Sequence, residues 1–256
     1  VDTLFIVSSL NHDFNLNRIE RYLVLAREAH VEAVVILTKA DQCDSQEEVE
    51  DYIQQVQKID PLLMIHALNA LDIASIESLN SWCRTGQTLA LLGSSGVGKS
   101  TLTNLILGKS QQITSDIRED DSKGRHTTTG RSLHVIAPHS QISGGLILDT
   151  PGMRELQLAH AESGIQETFS DITDLAKSCK FKDCSHDFSL SDNSGCAVQA
   201  AVLEGTLDSR RLTNYLKLLK EEAFNSATLA EKRDKDRKFG KMVRTALNEA
   251  HHRKNR

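Results

Sequence analysis

Residues 93–100 read Gly-Ser-Ser-Gly-Val-Gly-Lys-Ser, between the apolar run TLALLG (88–93) and the helix-patterned KSTLTNLIL (99–107). This is G-x-x-x-x-G-K-[ST] in the strand–loop–helix setting that the motif requires. Gly93, Gly96 and Gly98 let backbone N–H groups converge on phosphate oxygens, and the helix opening at Lys99 adds its positive end. In such a loop Lys99 reaches the β- and γ-phosphates, and the Ser100 hydroxyl ligates Mg²⁺. Ser94, Ser95, Val97 and Thr101 complete the expected phosphate site.

Strand-like and amphipathic segments alternate ahead of that loop. LFIVSS (4–9) precedes NLNRIERYLVLAREAH (15–30), VEAVVIL (31–37) precedes SQEEVEDYIQQVQKI (45–59), and LLMIHAL (62–68) precedes IASIESLNSWCR (73–84). Strands this apolar, separated by helices, predict an α/β fold with a mostly parallel sheet covered on both faces. Residues 109–130 are polar and lack the pattern; SLHVIAP (132–138) and GGLILDT (144–150) resume it. Beyond about residue 165 the chain is helical and polar, so we expect a nucleotide-binding domain over 1–160 and a smaller helical unit over 161–256.

A phosphate loop alone does not select a base or a reaction. Asp149-Thr150-Pro151-Gly152 follows an apolar strand, where Asp149 can hold a metal-bound water and the Gly152 N–H can meet a γ-phosphate. His126-Thr127-Thr128-Thr129 ends the long polar loop, and Thr128 is the hydroxyl we expect to close onto Mg²⁺; the triplet alone is equally a strand edge. Thr38-Lys39-Ala40-Asp41 ends the second apolar run and is close to Asn-Lys-x-Asp. Alone it is as readily a strand-end turn. As a base reader, Asp41 accepts two hydrogen bonds from guanine N1–H and its exocyclic amine, a donor pair that adenine lacks. The Lys39 stem lies along the base, Thr38 replaces the usual Asn with a shorter-reaching hydroxyl, and Ala67 and Leu68 belong to the adjoining segment. Asp41 thus disfavours an ATP-dependent kinase or transport ATPase. Taken in ring order from Gly93 through 152 and back to the start, these pieces make a complete GTPase set. The termini of such a domain lie on its surface, so a circular permutation is physically tolerable.

Cys179, Cys184, His186 and Cys196 crowd into 18 residues, whereas Cys43 and Cys83 stand apart. Three thiolates and an imidazole form a closed tetrahedral set for one structural Zn²⁺. Five cysteines with no secretory signal argue against a disulfide framework and for a reducing, cytoplasmic setting. At 39% hydrophobic and 25% charged, with no apolar run near bilayer length, the composition is that of a globular protein outside the membrane. Net charge is −5, yet residues 232–256 hold ten Lys/Arg against three Asp/Glu, a local +7 that leaves −12 elsewhere. By itself this is a solvated helix face; it becomes a polyanion contact only if something else points to nucleic acid. The chain opens on Val1 rather than Met, so we expect an N-terminal piece to precede it.

The stretches VDTLFIVSSLNHDFNLNRIERYL, TKAD, GSSGVGKSTLTN, GRHTTT, DTPGMREL, CKFKDCSH and KFGKM together resemble the circularly permuted GTPases of the RsgA family. The resemblance covers nearly the whole chain. It implies a GTPase that binds GTP and GDP with Mg²⁺, acts in maturation of the small ribosomal subunit, carries one zinc ion and turns over slowly until the subunit stimulates it. Family members also carry an N-terminal OB-type RNA-binding domain, which these residues do not include. Met153 stands where many GTPases have the Gln that orients water, resembling the family's hydrophobic substitution; His126 is the candidate to replace it, or else anchors its loop. The insert FSLSDNS makes Cys196 the ligand that spacing supports least, although GCAV matches the family. With ribosomal RNA as the implied partner, the basic tail gains a role on phosphates. The few aromatics favour backbone and shape contacts over base readout. We expect a monomer; the alternative is a nucleotide-gated binding module whose hydrolysis is incidental.

Overall fold

The structure is a computed structural model that describes residues 1–108, 132–138, 142–149, 157–188 and 195–227. Its centre is β1 (Thr3–Ser9), buried along all seven residues. β2 (Glu32–Thr38) and β4 (Thr88–Leu92) pair with it in parallel on either side. β3 (Met64–Ala67) extends the sheet beyond β2, and β6 (Leu146–Asp149) extends it beyond β4. β5 (Ser132–Val135) closes the far edge antiparallel to β6, giving the order β3-β2-β1-β4-β6-β5. The sheet is therefore mostly parallel, as the alternation predicts. The chain runs outward from β1 through β2 and β3, re-enters at β4 on the other side of β1, passes to the edge at β5 and returns between them as β6. The crevice at the carboxyl ends of β1 and β4 is the switch point where open α/β sheets bind ligands.

Alternation along the strands divides the core. Phe5, Val7, Val34, Ile36, Leu89 and Leu91 face α3 (Lys99–Leu107) and pack with Leu102, Ile106 and Trp82. Leu4, Ile6, Val35, Leu37, Ala90 and Leu92 face α1 (Leu16–Glu28) and α2 (Gln46–Gln57). The segment expected to be helical after residue 72 is a 3-10 turn, Ile73–Leu79, whose buried residues Ile76 and Leu79 are three apart. That spacing matches three residues per turn.

A third core joins α4 (Glu162–Thr168), α5 (Ser170–Ala176), α6 (Ala197–Leu203) and α7 (Ser209–Ser226) around Ile165, Phe169, Ile172, Val198, Leu212 and Tyr215. Val24 of α1 belongs to it, so α1 is buried on two sides, by the sheet and by the C-terminal helices. Between α1 and α7 lies Glu20, fully buried. Its carboxylate accepts two N–H groups from Arg210 at 3.0 Å, one from Arg211 at 2.9 Å and the Asn214 amide at 2.5 Å. Arg211 also forks onto Asp171 (2.7 and 2.8 Å), donates to the Thr168 carbonyl and lies 4.8 Å from the Phe169 ring centroid. Burial opposes its charge, but Asp171 and Glu20 outweigh that and raise its pKa. At the helix crossing, a Cβ on Gly164 would fall 2.3 Å from the Val24 carbonyl oxygen. Only glycine lets α4 approach α1 so closely. Glu28 accepts the Gly164 N–H at 2.8 Å and the Ser163 hydroxyl at 3.1 Å.

Candidate functional site

The phosphate loop leaves β4 at Gly93, where a Cβ would fall 2.3 Å from the Val7 carbonyl oxygen; glycine is required for the loop to pass over β1. Gly96 and Gly98 follow at φ 77° and 88°, and α3 begins at Lys99. The Lys99 ammonium donates to the carbonyls of Gly93 (2.8 Å) and Ser94 (2.5 Å), so its stem folds back across the loop it serves. Ser95 and Gly96 are exposed at the rim, Val97 is buried beneath, and Ser100 and Thr101 lie half-buried in the first turn of α3.

The TKAD segment comes from the other half of the chain yet meets this loop. Thr38 is fully buried, and its hydroxyl donates to the Val97 carbonyl at 2.6 Å, with the Ser8 carbonyl also within reach at 3.3 Å. The residue replacing the usual Asn therefore braces the phosphate loop from behind. Lys39 takes the left-handed conformation (φ 61°), a strain that functional turns commonly carry. The following 3-10 turn, Ala40–Gln42, presents Asp41 to solvent. The Leu68 N–H donates to the Leu37 carbonyl (2.9 Å) and the Ala40 N–H to the Leu68 carbonyl (3.4 Å), which sets Ala67 and Leu68 beside the TKAD turn. His66 precedes them, 5.3 Å from the Trp82 ring centroid; its Nε2 is buried without a partner, and burial lowers its pKa.

Three neighbours of the phosphate loop escaped the sequence reading. Asn11, Asp13 and Arg18, just after β1, form a cluster in which Arg18 and Asp13 both hydrogen-bond the Ser94 hydroxyl. Only their place in the family-like stretch 1–23 hinted at it, since nothing local tells that the β1 and β4 ends adjoin. Asp149 ends β6, its backbone paired with Ser132. His126, Thr128 and Gly152 lie outside the described residues, as does the basic segment 232–256.

Cys179, Cys184, His186 and Cys196 place their ligand atoms within 4.8 Å of one another. Individual separations are 3.7 Å from Cys179 Sγ to His186 Nδ1, 3.9 Å from Cys179 Sγ to Cys196 Sγ, and 3.4 Å from His186 Nδ1 to Cys196 Sγ. Tetrahedral zinc with its usual bond lengths has edges of about 3.5–3.8 Å, so the group fits a metal ion. The Lys180 N–H to Gly195 carbonyl bond (2.9 Å) draws Cys196 to the first arm across the insert, and the ligand with the weakest spacing support is buried in the cluster. Burial opposes a thiolate at Cys179, but the backbone N–H groups of Val198 and Ala197 prevail and lower its pKa. Burial pushes the Cys196 thiol up to about 11 and lowers the His186 pKa, which favours the neutral imidazole a metal needs. With four protein ligands and no open position, the group is suited to structure, not catalysis.

The sequence model of the RsgA GTPase family matches residues 1–159. A protein named small ribosomal subunit biogenesis GTPase RsgA 2, from Vibrio parahaemolyticus, is 56% identical over 249 residues, covering 97% of this chain and 66% of that protein. RsgA from Mesorhizobium japonicum is 50% identical across 88% of this chain and 63% of its own length. RsgA 1 from Listeria monocytogenes is 43% identical across 95% and 68%. The chain thus spans about two thirds of the length of these relatives. Among solved structures, YjeQ from Thermotoga maritima superposes with a TM-score of 0.56 at 25% identity, covering 86% of this chain and 71% of that one. YloQ, described as a circularly permuted GTPase, gives 0.58 at 25% identity over 89% and 70%. On the family match and these identities, the chain belongs to the RsgA GTPase family.

Proposed function

We propose that this chain is the catalytic and metal-binding part of a GTPase that assists late maturation of the small ribosomal subunit. The observation that carries the nucleotide reading is the Thr38–Val97 bond, which joins a guanine-type loop to a phosphate loop across the switch point of the sheet. The partner reading rests on the relatives' name, small ribosomal subunit biogenesis GTPase.

In this reading Gly93–Ser100 and Thr101 hold the phosphates, Lys99 offsets their charge, and Asp41 with Lys39, Ala40, Ala67 and Leu68 selects guanine. Ser100 and Thr128 ligate Mg²⁺, Asp149 holds a metal-bound water, and Gly152 and His126 serve the γ-phosphate and the attacking water. The Cys179, Cys184, His186 and Cys196 group takes zinc, organising a helical unit over 161–256 beside the GTPase domain over 1–160. The basic tail meets ribosomal RNA phosphates, and the protein works as a cytoplasmic monomer. Among the described residues no helix is long and apolar enough to cross a membrane.

Two measurements test this. Single-turnover GTP hydrolysis should be slow alone and should accelerate with purified small subunits. Co-sedimentation with those subunits should be stronger with a GTP analogue than with GDP and should weaken steeply with salt. Nucleotide-dependent binding without stimulated hydrolysis would instead establish a nucleotide-gated binding module.

A further inference from the structure

The phosphate loop is held from two directions. Thr38 braces it at Val97. At the other end, the Ser94 hydroxyl donates to Asp13 Oδ2 at 2.9 Å and accepts from Arg18 Nη1 at 2.6 Å, while Arg18 and Asp13 pair directly at 2.9 Å. Ser94 is the second residue of the loop, so this triangle fixes the side chain next to the carbonyls that Lys99 grips. Asp13 is itself held: Asn11 Oδ1 accepts the Asp13 N–H at 3.1 Å and the Ser9 hydroxyl at 2.9 Å, tying the turn to the end of β1. Arg18 stands in the first turn of α1, whose opposite side is gripped by the C-terminal helices.

We propose that Arg18 is a positioning residue for nucleotide binding: with Asp13 it holds Ser94 so that the phosphate loop is formed before the nucleotide arrives. The proposal rests on the GTPase reading and adds a residue outside the motifs that define it. A loop whose backbone N–H groups must converge on phosphate loses affinity if it must first be ordered. Arg18 has a second effect on the same event. Asp13 is a carboxylate beside a loop built for polyanions, and Arg18 is its counter-charge. Removing Arg18 both loosens Ser94 and leaves that negative charge uncompensated. An ion pair about one third exposed would contribute little by itself. Its importance here comes from the serine it holds.

The test uses the full chain and the variants Arg18→Ala, Ser94→Ala, Asp13→Asn, the two doubles Arg18→Ala/Ser94→Ala and Arg18→Ala/Asp13→Asn, and the conservative Arg18→Lys. Fluorescent GDP and a GTP analogue report affinity, and amide exchange of residues 94–97 in nucleotide-free protein reports loop order. We expect Arg18→Ala to weaken both nucleotides about tenfold and to speed exchange at 94–97. Adding Ser94→Ala should cost little more, because both changes break one triangle. Adding Asp13→Asn should restore part of the loss, as should Arg18→Lys alone. The melting temperature of the nucleotide-free protein should move by no more than about 2 °C. Wild-type affinity and exchange in Arg18→Ala, or additive losses with Ser94→Ala, would overturn the proposal. So would an affinity loss that only tracks lost thermal stability. The exchange readout needs no nucleotide: if wild-type protein binds no guanine nucleotide, the GTPase reading falls, while unchanged exchange refutes the loop-holding role separately.

Discussion

In the proposed reading Asp41 carries the base specificity, and its setting makes it a sensitive point. It is exposed on a turn whose first residue, Lys39, is held left-handed, so little besides a bound base depends on its carboxylate. Asp41→Asn should leave thermal stability unchanged and shift preference from GTP toward xanthosine triphosphate, measured by competition binding. Preserved ATP use in that variant would restore the kinase reading. His66 offers a pH signature. Burial lowers its folded pKa below the unfolded value near 6.5, so the neutral ring favours folding above that pH. That contribution is lost as pH falls from about 6.5 through the folded value. Urea unfolding at pH 7.5 and 5.5 should show the wild type losing more stability than His66→Phe. Thr38 shows how far single residues were legible. The sequence placed it in the base loop, but its burial and its bond to Val97 depend on β2 and β4 flanking β1, which no tetrapeptide contains.

At the scale of elements, α1 and the Cys3His loop are the joints. Gly164→Ala would drive a methyl group into the Val24 carbonyl and push α4 from α1. The expected loss is about 1–3 kcal/mol by denaturant titration, with guanine-nucleotide affinity unchanged, since the crossing lies away from the phosphate loop. Elemental analysis should find one zinc per chain. Chelation, or Cys196→Ser, should lower the melting temperature and reduce helical circular dichroism while nucleotide binding persists. The central strands were legible as continuous apolar runs, α1 and α2 by their helical apolar spacing, and α3 by the phosphate loop that opens it. The 3-10 turn at 73–79 was not, because two apolar residues three apart satisfy either helix type over one turn. Cys196 was the ambiguous ligand because a spacing rule cannot see the Lys180–Gly195 bond that closes the insert.

For the whole molecule, the buried Glu20 cluster is one fastening between the sheet and the C-terminal helices, beside the Gly164 crossing. Glu20→Ala leaves Arg210 and Arg211 without their shared carboxylate and should cost about 3–5 kcal/mol in urea unfolding. A loss under about 1 kcal/mol would put the cluster with exposed ion pairs. The sequence did not reveal it, since a glutamate in an amphipathic helix normally faces water; here a second set of helices covers that side.

That cluster also orders events during synthesis. The partners of Glu20 lie 190, 191 and 194 residues downstream. At typical elongation rates, roughly 10–40 s pass between the emergence of α1 and that of α7. Throughout that interval β1, β2 and α1 can condense on their own apolar face, and α4 can dock on Val24 and Glu28 as it emerges, while Glu20 stays hydrated. α7 then closes the structure over a carboxylate that has waited since α1 was made. Nascent chains truncated before residue 210 would therefore carry the sheet and the α4 crossing while Glu20 still lacks its partners.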